Sequence, residues 1–78
     1  MKNRESTYEV IVSNIGQVYH GHNFQEAHAN LGIYVRASKS GHGRAAGEDV
    51  SFWRDGEPVM EFMGALNEAH VFDASLAN

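Results

Sequence analysis

The sequence predicts an α+β fold: a compact ββαββ domain with one helix packed on one face of an antiparallel sheet, assembled as a homo-oligomer. Three observations predict it. Two runs of β-branched and aromatic residues are each split by a turn signal. A single stretch of helical periodicity lies between them. Apolar residues fill both alternating sets of strand positions, more than one helix can cover.

The first run, YEVIVSNIGQVYHG, reads as a β-hairpin. Val10, Ile11, Val12, Val18 and Tyr19 suit strands, and Asn14-Ile15-Gly16 fits a three-residue loop with a left-handed glycine. Placing Ser13 opposite Gln17 sets Val12 against Val18 and Ile11 against Tyr19, on opposite faces. The helix follows in NFQEAHANLGIYVRASKSG. Asn23 is a strong N-cap, and Glu26 three residues on completes a capping-box pattern. Phe24, Ala27, Leu31, Tyr34 or Val35, and Ser38 recur at helical spacing, and Gly41 stops the helix.

The second hairpin, VSFWRDGEPVMEF, turns at Asp55-Gly56. This turn pairs Arg54 with Glu57, Trp53 with Pro58, Phe52 with Val59, and Ser51 with Met60. Strict alternation then puts Val10, Val12, Val18, Phe52 and Val59 on one face. Ile11, Tyr19, Trp53, Met60 and Phe62 fall on the other. A second apolar face without a helix is ordinarily buried against another copy, hence the oligomer. The alternative is a tail folded back over that face. Residues 1–78 form one domain with a core of about 7–63, and 64–78 is a tail. Ala65 to His70 reads as a short helix or as part of an interface arm, with Val71 and Phe72 docking on a neighbour.

Composition bounds the function. The net charge is −4 with histidines neutral, against a general role in binding polymeric nucleic acid, which needs a basic face. There is no cysteine, so disulfides are excluded. No apolar run approaches the roughly 20 residues of a membrane span, and the start lacks a signal-like stretch. A cytoplasmic protein without a membrane partner is expected.

Charge is unevenly distributed. From Ala27 through Gly47 there is no carboxylate, while Arg36, Lys39 and Arg44 supply half of the six formal cations, alongside His28 and His42. The stretch SKSGHGRAAGEDV lies largely in this window. Such a loop suits an anion. Ser38 and Ser40 offer hydroxyls, the backbone amides about Gly43 and Ala45 can form a nest, and Lys39 and Arg44 bring charge. It lacks the Lys-Ser or Lys-Thr of a nucleotide-triphosphate loop. The plainer reading is a flexible crossover from helix to strand. Tyr19, Tyr34 and Trp53 are the aromatic candidates to stack on a purine whose phosphate meets the cations; for Tyr19 and Trp53, interface packing is the alternative. His20, His22 and His28 have a spacing seen in metal sites, but no carboxylate or cysteine completes a set, so no metal is assigned. No nucleophile–base or paired-carboxylate constellation stands out, so neither catalysis nor a cofactor is assigned. The carboxylates Glu9, Glu26, Glu48, Asp49, Asp55, Glu57 and Glu61 read as solvated.

NIGQVYHG, SKSGHGRAAGEDV and WRDGEPVMEF, in this order and spacing, resemble a family of small phage-encoded proteins, over roughly residues 8–63. The group most similar in kind is the phage anti-CBASS sponges. That resemblance implies a tetramer in the cytoplasm of an infected bacterial host. It would bind a cyclic dinucleotide immune signal of the 3′,3′-cyclic GMP–AMP type without cleaving it, keeping the CBASS effector off. The near two-fold symmetry of such a ligand suits a symmetric oligomer. GQVYHGHNFQEAHANLGIYV also resembles the strand–turn–helix segment of HicB-type antitoxins, whose sheet binds a toxin. The second reading is accordingly a protein–protein inhibitor or regulator of the antitoxin, anti-restriction or anti-CRISPR type, acting through the open sheet face.

Overall fold

The structure is a computed structural model that describes residues 5–41 and 43–72. His42 and the last part of the tail, residues 73–78, lie outside the described residues, as do residues 1–4. Five strands and one helix follow in the order β1 (Tyr8–Val12), β2 (Gly16–Gly21), α1 (Phe24–Ser40), β3 (Val50–Arg54), β4 (Glu57–Met63) and β5 (Glu68–Val71). The strands form one sheet in the order β2-β1-β3-β4-β5, and every neighbouring pair is antiparallel.

The helix ends as its capping residues dictate. The Asn23 side chain accepts a hydrogen bond from the Glu26 amide at 3.0 Å, satisfying an amide the first turn would leave open. Gly41 closes the other end in the left-handed conformation, φ 74°. Ala27, Leu31 and Ser38 are the helix residues that become buried. They face Val10, Val12, Val50, Phe52, Val59 and Phe62 of the sheet. Tyr8 and Phe24 pack around Phe52, with ring centroids 6.0 and 6.1 Å from it.

Both hairpins depart from strict alternation, for one reason. Each contains a β-bulge, in which two residues of one strand oppose one of its partner. In the first, Val10 pairs with Tyr19 and Ile11 with Gln17, which makes Val18 the extra residue. In the second, Arg54–Glu57 and Trp53–Pro58 pair as expected. Phe52 then pairs with Met60 and Ser51 with Glu61, which makes Val59 the extra one. Val18 and Val59 stay on the helix side as expected. Tyr19, Met60 and Phe62 do not go to the opposite face. Each pairs with a buried residue of the helix side: Tyr19 with Val10, Met60 with Phe52 and Phe62 with Val50. A second apolar face is therefore absent from the described sheet.

The segment after β4 is also corrected. Residues 68–71 form a fifth strand rather than a short helix. The turn before it places Asn67 at φ 54°, a conformation asparagine tolerates, and the chain reverses onto β4. Ala69 and Val71 then lie opposite Phe62 and Met60 on the helix side.

Candidate functional site

The glycine-rich crossover is a folded brace. Ser38 is buried, and its hydroxyl donates to the Glu48 carbonyl at 2.8 Å. The Ser38 carbonyl in turn accepts from the Gly47 amide at 3.0 Å. Ala46 and Glu48 donate their amides to the carbonyls of Gly43 and Ala45. Three successive amides, those of residues 46–48, are thus bonded to the chain's own carbonyls. Ala45 is 4% exposed and belongs to the core. Outside contacts fix the brace as well. Asn14 Nδ2 donates to the Arg44 carbonyl at 2.7 Å, the Ser13 hydroxyl donates to Glu48 at 2.6 Å, and the Gly64 amide donates to Asp49 at 2.9 Å.

Of the residues assigned to an anion site, Ser38 and Ala45 are therefore structural. The Ser40 hydroxyl donates to the Ala37 carbonyl, as expected of a serine in a last helical turn. Lys39 holds its ammonium 5.5 Å from the centre of the Phe62 ring. Gly43, at φ 80°, makes the turn, and the exposed Arg44 side chain projects beside it.

The aromatic candidates do not join this cluster. Tyr19 lies on the helix side, contrary to expectation, and its hydroxyl reaches the Asn23 carbonyl and Glu26 Oε1 at 3.3 and 3.2 Å. That is the first turn of α1, whereas Lys39 and the brace are at its end. A helix of 17 residues separates them by about 25 Å. Tyr34 is half-buried against the core. Trp53 is on the opposite face of the sheet from all of these. The three histidines disperse too: His20 is on the open face, His22 Nδ1 lies 3.1 Å from the Ser6 carbonyl, and the His28 ring lies tilted against Phe24, centroids 5.6 Å apart.

That open face is the coherent surface. The ladder aligns two rows across it. One runs His20, Glu9, Trp53, Pro58; the other runs Gln17, Ile11, Ser51, Glu61, His70. Glu68, two residues before His70 on the same face, sits opposite Met63. Trp53 and Ile11 lie near its middle, and the indole Nε1 donates to the Ser51 hydroxyl at 2.8 Å, which fixes the ring. Neither row contains a lysine or arginine. His20 and Glu9 approach to 3.8 Å, and His70 and Glu68 to 3.3 Å. The face is acidic with an apolar centre.

Such a surface was hard to find in sequence, because its carboxylates are far apart along the chain. The available signal was alternation within strands: Glu9 and Ile11 in β1, Ser51 and Trp53 in β3. Glu61 could be placed only by knowing the β4 bulge, and Glu68 only by knowing that β5 exists.

No helix among the described residues is long and apolar enough to cross a membrane. The chain matches no family model, no curated protein and no solved structure.

Proposed function

We propose that this chain is a small binding protein, an inhibitor or regulator that docks the helix-free face of its sheet on a basic protein surface. One observation carries the reading: Trp53 is held on a face that bears Glu9, Glu61 and Glu68 and, among the described residues, no lysine or arginine. Held aromatic rings ringed by polar groups are the usual anchors of protein interfaces. Carboxylates around such an anchor attract cationic surfaces and repel phosphates. The net charge of −4 acts in the same direction at long range. The protein acts by occupancy, without catalysis, and works in the cytoplasm as a self-associated species.

The test is capture of partners from a bacterial lysate on immobilised protein, followed by calorimetry with the purified captured protein. The expected partner is basic. Its affinity falls at least tenfold with Trp53→Ala and with Glu61→Lys, while both variants keep the far-ultraviolet spectrum of the parent. A partner bound equally well by both variants sinks the reading.

A second reading has its own observation. Lys39 and Arg44 are exposed at one end of the molecule, with Arg36 on the same helix, and these cations suit an anion such as a cyclic dinucleotide. Because Trp53 is on the far face, purine stacking beside these cations needs side chains from further copies, as in a tetrameric sponge. A thermal shift with 3′,3′-cyclic GMP–AMP that disappears in Arg44→Ala supports this reading, and no shift with the parent protein removes it.

A further inference from the structure

Two strands border the sheet, and their edges differ. β2 carries the bulge at Val18, a feature that twists a strand edge and discourages pairing. β5 is paired regularly with β4, and all four of its residues are exposed. Among the described residues, five large apolar side chains are exposed. Three of them, Leu66, Val71 and Phe72, lie on β5 or beside it, at 58, 48 and 57%.

The segment Leu66–Phe72 is also complementary to itself. Leu66 and Phe72 are equally far from Ala69, and so are Glu68 and His70. Antiparallel pairing about a two-fold axis at Ala69 sets Glu68 of one copy opposite His70 of the other, twice. Main-chain directions fit this register. Phe72 donates its amide to the Val59 carbonyl at 2.8 Å, so Phe72, His70 and Glu68 turn their main-chain groups toward β4. Ala69 and Val71 turn theirs outward. Two copies can then exchange a pair of amide–carbonyl bonds at Ala69 itself. A register centred on His70 instead sets the two imidazoles against each other and Glu68 against Phe72, which the side chains disfavour.

Charged groups on an edge usually deter pairing. Here they are of opposite character and spaced to meet under two-fold symmetry, so the edge is selective for its own copy. We infer that the chain forms a homodimer through β5, extending two five-stranded sheets into one. This pairing leaves Trp53 uncovered and sets two acidic faces side by side. It explains the self-association included in the proposed function, yet stands apart from the identity of any partner.

The experiment is sedimentation velocity of the full chain over a concentration series, with three variants. The parent is expected to sediment as a dimer. Ala69→Pro removes an outward amide that no described strand uses, so the fold is retained and the dimer is lost. Glu68→Lys sets a cation against His70 and weakens the dimer at least tenfold. Glu68→Lys combined with His70→Glu reverses both partners and restores it. A parent that stays monomeric at millimolar concentration overturns the inference, as does a dimer indifferent to all three variants. Should Ala69→Pro fail to fold, loss in Glu68→Lys and restoration in the double variant decide the matter. Partner capture through Trp53 is read separately, so either result can fail alone.

Discussion

Replacing Gly64 with alanine probes whether the crossover is a brace. A Cβ at this position would sit 2.4 Å from both the carbonyl carbon and oxygen of Gly47, and 2.6 Å from the Glu48 carbonyl oxygen. All three are backbone atoms, so no side chain can rotate away. Ordinary contact needs about 3.5 Å or more between carbon atoms, which demands a main-chain shift of about 1 Å. Overpacking of this kind costs about 1–3 kcal/mol. The shift also pulls on the 2.9 Å bond from the Gly64 amide to Asp49. A hydrogen bond to a charged group contributes about 1.5–3 kcal/mol, and only part of it is lost. The expected sum is about 3 kcal/mol. For a domain of this size that lowers the melting temperature by roughly 12–24 °C. Urea and thermal denaturation followed by circular dichroism measure it. A comparison variant, Gly43→Ala, meets nothing within 4 Å and bears only the left-handed conformation at φ 80°, worth roughly 1–2 kcal/mol. If Gly64→Ala lost less stability than Gly43→Ala, the crossover would not be held against the end of β4 as described.

Two further substitutions test the helix ends. Ser38→Ala removes the buried hydroxyl that serves the Glu48 carbonyl and should cost about 1–2 kcal/mol in urea denaturation; no loss would mean the carbonyl finds another donor. Asn23→Ala removes the cap on the Glu26 amide and should cost about 1 kcal/mol, while Asn23→Asp, which keeps an acceptor oxygen, should cost little; equal losses would refute a side-chain role.

Local signals carried much of the architecture. Asn23, Gly41 and Asp55-Gly56 mark ends and turns whose chemistry acts within four residues, and each was readable. The bulges at Val18 and Val59 were not. A bulge adds one residue, and the pattern Gln-Val-Tyr or Pro-Val-Met alternates acceptably with or without it. Its presence depends on which register buries more apolar surface against α1. With the extra residue, Tyr19, Met60 and Phe62 all reach the helix side; without it they would face solvent. Burial decided, and two apolar faces became one. β5 was missed because Glu68-Ala69-His70-Val71 has little strand propensity of its own, and pairing with β4 supplies what the residues lack. The brace was misread for a different reason. Serine and glycine serve equally to hold an anion and to turn a buried loop, and only the partners of Ser38 and the amides of 46–48 distinguish the two.

The arrangement of charge is what links fold to function. Lys39 and Arg44 lie at the end of the helix layer, while Glu9, Glu61 and Glu68 line the outer face of the sheet. The apolar core, with Phe52 and Val10 fully enclosed, separates the two sets. A basic partner approaching the sheet meets carboxylates first, because screening over about 8 Å at physiological salt mutes the cations behind the core. Electrostatics of this kind chiefly raises the rate of encounter and selects among partners. Retention must come from desolvated apolar contact, and on this face Trp53 and Ile11 are placed to supply it. The indole bond to Ser51 matters for that reason: a ring already held loses less freedom on docking than one that must be ordered. The bulge at Val59 thus has a consequence beyond packing. By keeping Met60 and Phe62 inside, it leaves Glu61 as the neighbour of Ser51 and gives the surface around the tryptophan its acidic character.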